Sequence, residues 1–258
     1  MPADPEVYCS ERLARSYACD RPPIHAAIWD RIAAADPGGI DVGSALDVGC
    51  GAGASSRALA AHADRVTGID LSAEMLGHAQ SALPGMAFVR ASAQALPFDA
   101  ATFDLVAAAG ALNYCEPSVA VSEMARVLRP GGRFVAYDFA TGRPGRDATR
   151  AAPCFASFRR HFPPLPGYAL ELDGLPYDRC ALELFSYERF DVQATMTAAA
   201  YVDYIAGETS VEAAVADGMD DSEARRICAE IFTPLFDGAA REVHFAAMFA
   251  LARKRGGD

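Results

Sequence analysis

The sequence predicts an α/β protein with a mostly parallel sheet carrying helices on both faces. Three observations predict it: apolar strand-like runs alternate with helical segments through the first half, glycines crowd the turn after the first run, and Arg129-Pro130-Gly131-Gly132 launches a further run. Alternation at this spacing is the signature of right-handed βαβ units.

The elements follow in order. From Pro23 to Ala35, Ile24, Ala27, Ile28, Ile32 and Ala35 recur at helical spacing, and Pro37-Gly38-Gly39 stops the helix. Ala45 to Val48 reads as the first strand, breaking into Gly49-Cys50-Gly51-Ala52-Gly53 and the helix Ala54 to Ala63. Arg65 to Ile69 is a second strand, Ala73 to Leu83 a helix, and Met86 to Ala91 a third strand. Phe103 to Ala108 is a fourth, followed by the helix Ser118 to Leu128 and a fifth strand, Arg133 to Phe139. Between Ala140 and Tyr187 periodicity fails, and Pro144, Pro153, Pro163, Pro164, Pro166 and Pro176 interleave with Phe155, Phe158, Phe162, Tyr168 and Tyr177. Such a stretch is expected to be an irregular lid or binding loop, or a segment whose aromatics pack it onto the body. Phe190 to Met196 alternates like a strand, Thr197 to Ala206 and Asp221 to Phe232 read as helices, and Val243 to Arg253 supplies a closing strand woven into the sheet.

Composition narrows the function. The chain has 258 residues, 52% of them hydrophobic, enough for one large core, and a formal net charge of -11. That field repels phosphate backbones, so no nucleic-acid partner is expected. The seven cysteines are odd in number and scattered, with no Cys-x-x-Cys pair, and read as reduced thiols; no metal site is expected. The polar first residues lack a secretory signal, and no eighteen apolar residues run together, so a cytoplasmic protein without a membrane partner is expected.

The glycine turn points to a ligand. Residues without Cβ atoms let the backbone adopt positive φ and approach an acceptor-rich molecule, while the following helix presents free N–H groups. Nineteen residues after Gly51, Asp70 ends the second strand, placed to accept hydrogen bonds from ribose hydroxyls. Gly49, Gly51 and Ala54 also satisfy the Gly-x-Gly-x-x-Ala form of the dinucleotide fingerprint, so this pair alone leaves two ligands open.

Further motifs separate them. Asp47-Val48-Gly49-Cys50-Gly51-Ala52-Gly53, Gly68-Ile69-Asp70-Leu71-Ser72 with Met75-Leu76, Ala93-Gln94-Ala95-Leu96-Pro97-Phe98, and Arg126-Val127-Leu128-Arg129-Pro130-Gly131-Gly132 together resemble the class I S-adenosylmethionine-dependent methyltransferases over about residues 44 to 139. The resemblance implies a Rossmann-like seven-stranded sheet in one domain: an N-terminal helical lid over 1–40, a cofactor core over 44–139, an inserted lid over 140–188, and C-terminal elements over 189–258 completing the sheet. It implies S-adenosylmethionine as cofactor. Asp47 and the Gly49, Gly51 and Gly53 backbone would hold the methionine end, Asp70 the ribose, Leu71 and Met75 the adenine faces, Ser92, Ala93 and Gln94 the adenine edge, and Ala109 with Gly110 the floor. Ser92 stands where many relatives have Asp, a weaker partner for the adenine amino group. Tyr17 and Arg21-Pro22 resemble the family's leading lid, where Arg21 would meet the methionine carboxylate or else sit on the surface at a helix start.

For the acceptor, candidate groups lie near the ends of strands four and five. Asp138 is placed to take a proton, to anchor an amine or to cap the next turn. Asn113-Tyr114 stands where many relatives show His-Trp, favouring hydrogen bonding over base chemistry. Tyr177 would set its ring against the sulfonium or pack the lid, and His161 is the other candidate from the irregular segment. Gly110-Ala111-Leu112-Asn113-Tyr114 lacks the Asp/Asn-Pro-Pro-aromatic motif of base-amino methylation. The expected enzyme is a methyltransferase acting by direct displacement on a small metabolite or product of secondary metabolism, as a monomer or homodimer. The alternative is a same-fold enzyme that cyclises the cofactor's own aminobutyrate chain to azetidine-2-carboxylate, releasing methylthioadenosine; a nicotinamide oxidoreductase or a non-catalytic binding protein are the remaining rivals.

Overall fold

The computed structural model describes residues 5–145, 148–166 and 170–256. Ahead of the sheet stand α1 (Glu11–Cys19) and α2 (His25–Ala35). Ser10 caps α1, its side chain accepting from the Leu13 amide, as expected of a serine before a helix. Strands β1 (Val42–Val48), β2 (Ala63–Asp70), β3 (Ala87–Arg90), β4 (Phe103–Ala109) and β5 (Leu128–Phe139) alternate with α3 (Ala54–Leu59), α4 (Ala73–Ala82) and α5 (Pro117–Val127). After them come β6 (Arg143–Pro144), α6 (Ala148–His161), β7 (Leu182–Met196), α7 (Ala198–Ala206), α8 (Thr209–Ala216), α9 (Asp221–Phe232) and β8 (Arg241–Lys254).

The sheet runs β3-β2-β1-β4-β5-β8, with β7 on the outer side of β8. The first five strands are parallel, and β8 enters antiparallel between β5 and β7. The closing strand is therefore woven in as the sequence predicts. Among the described residues there are eight strands rather than seven because the two-residue β6 prolongs the line of β5 along β8.

Central strands bury both faces, which is why they read as continuous apolar runs. On β4, Leu105 and Ala107 enter one core while Val106 and Ala108 enter the other; on β5, Val135 and Tyr137 oppose Phe134 and Ala136. The first core is capped by Ile28, Trp29 and Ile32 of α2 and by aromatics of α6, α7 and α9; the second by Val121 and Met124 of α5. Full burial of a side chain of this size contributes about 1.5–3 kcal/mol.

One expected region is corrected. The stretch after β5 is not irregular throughout: α6 spans fourteen residues with Pro153 inside it. Proline removes a helical hydrogen bond and masks the helical signal, but the helix is held by packing, with Phe155 and Phe158 at 5.2 and 5.6 Å from the Phe232 ring of α9. Tyr168 of the expected lid lies outside the described residues. No described helix is long and apolar enough to cross a membrane.

Candidate cofactor and acceptor site

Where β1, β2, β4 and β5 end, a cavity of about 1910 Å³ opens. This is the carboxyl edge of a parallel sheet, where such folds bind ligands. The turn after β1 closes tightly, Gly49 and Cys50 N–H both donating to the Ile69 carbonyl at 2.8 and 2.9 Å. Gly49 has φ +70°, and a Cβ there would stand 2.4 Å from the Ala111 Cβ, so glycine is required for conformation and for space.

Asp70 sits at the end of β2 on the cavity wall, its Oδ2 accepting from Gly51 N–H and its Oδ1 from Ser72 N–H, each at 2.9 Å. Two backbone donors fix the carboxylate and leave further lone pairs for a ligand. Burial pushes its pKa above the ordinary carboxylate value, against the pull of those amides. Leu71, Met75, Ser92, Ala93, Gln94, Ala109 and Gly110 line the same cavity, as do Gly49 and Gly51. Ser92 Oγ accepts from Gln94 N–H at 3.2 Å, and the Gln94 side-chain carbonyl accepts from Glu116 N–H at 2.6 Å, so the adenine-side loop is locked to the start of α5.

Two expected cofactor residues stand outside the lining. Asp47 is buried beneath the turn, its Oδ2 accepting from the Ser55 and Ser56 hydroxyls at 2.6 Å each. Its Oδ1 has no hydrogen-bond partner among the described residues, and burial raises its pKa to about 6. Asp47 therefore braces the turn against α3 and does not line the cavity. Gly53, at φ +92°, caps α3; a Cβ there would meet Leu83 and Ala79 of the α4 end, at 3.1 and 3.3 Å. Its smallness serves packing between α3 and α4.

The surface alternative for Arg21 is overturned. The guanidinium is buried in the cavity wall, 3.9 Å above the Tyr17 ring, with Glu208 at 3.3 Å and the Gly207 carbonyl at 3.2 Å. Its Nε is buried without a hydrogen-bond partner among the described residues. Tyr17 donates to the Tyr8 hydroxyl at 3.3 Å, and Tyr8 and Tyr114 share a hydrogen bond of 2.5 Å, joining the N-terminal segment to the loop after β4.

Of the acceptor-side candidates, Asn113 and Asp138 meet. Asn113 Nδ2 donates to Asp138 Oδ2 at 2.8 Å, and Phe139 N–H donates to Oδ1 at 2.7 Å; both residues line the cavity. Burial raises the Asp138 pKa despite these donors. Tyr177 does not join them. Its ring packs on Phe134 in the opposite core, and its hydroxyl donates to the Leu172 carbonyl at 2.5 Å, so the packing alternative holds and the sulfonium contact falls. His161 is likewise elsewhere, in a smaller groove between α6 and α9.

Sequence reading missed His25. Its Nδ1 is hydrogen-bonded to the Tyr137 hydroxyl at 2.8 Å, its ring meets Tyr137 and Phe139 edge-on, and it lines the cavity. Burial, with Arg21 adding to it, lowers its pKa to about 4 and keeps the imidazole neutral. Only its closeness to Arg21-Pro22 in the chain could have flagged it.

A doubly wound sheet with a glycine turn, an acidic residue ending β2 and a buried arginine on the cavity wall is the arrangement of the Rossmann-like class. Residues 46–136 match the model described as a methyltransferase domain, and the chain has the class I S-adenosylmethionine-dependent methyltransferase fold. A demethylmenaquinone methyltransferase of Clavibacter sepedonicus is 43% identical over 100 residues, 37% of this chain and 41% of that protein. A malonyl-acyl-carrier-protein O-methyltransferase of Enterobacter lignolyticus is 42% identical over 88 residues, 34% of this chain and 35% of that protein. The chain thus spans about two fifths of the length of the curated relatives it matches. A provisionally assigned type II methyltransferase from Anaeromyxobacter dehalogenans superposes with a TM-score of 0.69 at 20% identity, over 92% of this chain and 99% of that one, a likeness of fold. The cofactor that the domain match supports is S-adenosylmethionine. The site suits it: Asp70 offers acceptor oxygens on the wall, and the Arg21 Nε has no hydrogen-bond partner among the described residues.

Proposed function

We propose that the protein is an S-adenosylmethionine-dependent methyltransferase that methylates a small molecule by direct displacement. The observation that carries this reading is Asp70, clamped by Gly51 and Ser72 amides beside the positive-φ turn, because that pairing reads a ribose next to a close backbone approach. The relatives named above act on demethylmenaquinone and on malonyl-acyl-carrier protein. The methyltransferase-domain match covers residues 46–136, and relatives with acceptors so different support reading that part as the cofactor half, with acceptor choice left to the rest of the chain.

Asp70 would hold the ribose hydroxyls, and Leu71 and Met75 the adenine faces. Gly49, Gly51 and Arg21 would hold the amino-acid end, with Tyr17 fixing the guanidinium by a cation–π contact. The bound cofactor supplies a methyl group already activated on a sulfonium. The protein's own work is then alignment and exclusion of water. The Tyr8–Tyr114 bond closes the N-terminal segment over the cavity. Asp138, oriented by Asn113, and the neutral His25 are the groups on the acceptor side able to receive or hold a proton.

The test is calorimetric and chemical. Asp70→Ala is expected to weaken S-adenosylhomocysteine binding about 100-fold, the loss of charge-assisted hydrogen bonds. Mass spectrometry of the nucleoside product decides the reaction. Adenosylhomocysteine formed with an acceptor supports methyl transfer, methylthioadenosine formed without one replaces it by cyclisation, and unchanged affinity in the variant removes the assignment of Asp70.

A further inference from the structure

We propose that the acceptor is an aromatic carboxylate, its flat apolar body lying against Phe139, Phe155, Phe158 and Phe190 and its carboxylate held at the cavity mouth by Arg143 and Arg159. The proposal rests on the methyltransferase reading above and names the acceptor class for that site.

Size is the first argument. Ordinary small-molecule pockets occupy about 300–1,000 Å³, and the 1910 Å³ present here leaves room for a bulky second molecule beside a nucleoside. Lining is the second. Away from the glycine turn, the four phenylalanines named above come from β5, α6 and β7 and present apolar surface into the cavity. Aromatic walls of this kind favour flat apolar ligands by burial and by edge or offset ring contacts.

Charge is the third. Among the ionic groups of this lobe, Glu171 is paired with Arg189, Glu208 with Arg21, and Asp138 with Asn113 and the Phe139 amide. Asp191 is the carboxylate there with no side-chain partner among the described residues, whereas Arg143 and Arg159 are two guanidiniums with no ion pair among them. In a chain of net charge -11, two arginines without an ion-pair partner among the described residues line one cavity, with Asp191 the carboxylate of that lobe left without a side-chain partner. The Arg143 guanidinium lies 5.4 Å over the Phe155 ring, so the cation is anchored where the aromatic wall begins. A planar fork above an aromatic floor matches a carboxylate attached to a ring.

Naphthoate and its neutral isostere naphthamide are the probes, titrated calorimetrically into the whole protein with S-adenosylhomocysteine present. Naphthoate is expected to bind at least tenfold tighter. In the double variant Arg143→Gln/Arg159→Gln that preference is expected to vanish while naphthamide affinity and S-adenosylhomocysteine affinity stay as in the wild type. Equal affinities in the wild type, no binding of either probe, or a preference that survives in the double variant overturns the proposal. Separately, failure of S-adenosylhomocysteine to bind while the naphthoate preference persists removes the methyltransferase reading and leaves the carboxylate site standing.

Discussion

The two halves of the cavity are built in different ways. On the cofactor side the groups that matter are fixed from within the first two βα units: Asp70 by Ser72 and by Gly51 of the glycine turn, Asp47 by Ser55 and Ser56, and the turn by positive φ. On the acceptor and lid side they are fixed across the chain, Tyr8 by Tyr114, Arg12 by Glu212 and Asp221, Arg21 by Glu208, and Phe158 by Phe232. The first arrangement follows from local backbone geometry, and the second exists only once the sheet and its helices have closed. The cofactor side is therefore expected to be intolerant of backbone change, and the acceptor side to respond to charge and packing.

The largest effect sharpens the first half of that contrast. Gly49→Ala forces a Cβ onto a positive-φ residue and to within 2.4 Å of Ala111. Strain and overpacking together are expected to cost about 4 kcal/mol, a fall of roughly 10 °C in Tm. A thermal melt that moves by less than 2 °C, roughly what less than 1 kcal/mol gives, would show the turn to be slack.

Next comes a pair of buried groups, one from each half, with opposite pH signs. His25 has its pKa lowered from 6.5 to about 4, so the unfolded chain binds the proton better; its contribution is full above 6.5 and lost as pH falls through 4. Asp47 has its pKa raised from 3.8 to about 6, so its contribution is full below 3.8 and lost as pH rises through 6. Each amounts to about 3 kcal/mol at most, and between pH 4 and 6 they oppose each other. His25→Gln is expected to leave a protein that gains stability, relative to wild type, as pH drops from 6.5 to 4, and Asp47→Asn the reverse. Urea midpoints at pH 4.5 and 7.5 measure both; parallel shifts in the two variants would contradict the opposed signs.

The smallest effect tests the boundary between site and scaffold. Tyr177→Phe removes one donor from the Leu172 carbonyl and is expected to cost about 1 kcal/mol of stability, with cofactor affinity within twofold of wild type. A tenfold loss of S-adenosylhomocysteine affinity would return Tyr177 to the cavity.

Much of the cofactor side was legible in the sequence. Gly49, Gly51, Asp70, Leu71, Met75 and Ser92 to Gln94 all reach the cavity, because a strand, a positive-φ turn and a strand end each leave a short-range signal. Asp47 and Gly53 belong to the same motif yet face inward, and motif spacing does not record which side of the turn a residue faces. On the other side, α6 was hidden by Pro153, Tyr177 turned into the opposite core, and His25 carried no pattern at all.

By itself the sequence determined the alternation of strands and helices, the glycine turn and the acidic end of β2, because periodicities of two and 3.6 and the freedom of glycine act over a few residues. Only the tertiary structure decided that His25 stands beside Tyr137, that Arg21 lies between Tyr17 and Glu208, and that α6 lines the cavity. Those encounters join residues far apart in the chain, and they depend on the way two cores close over the two faces of one sheet.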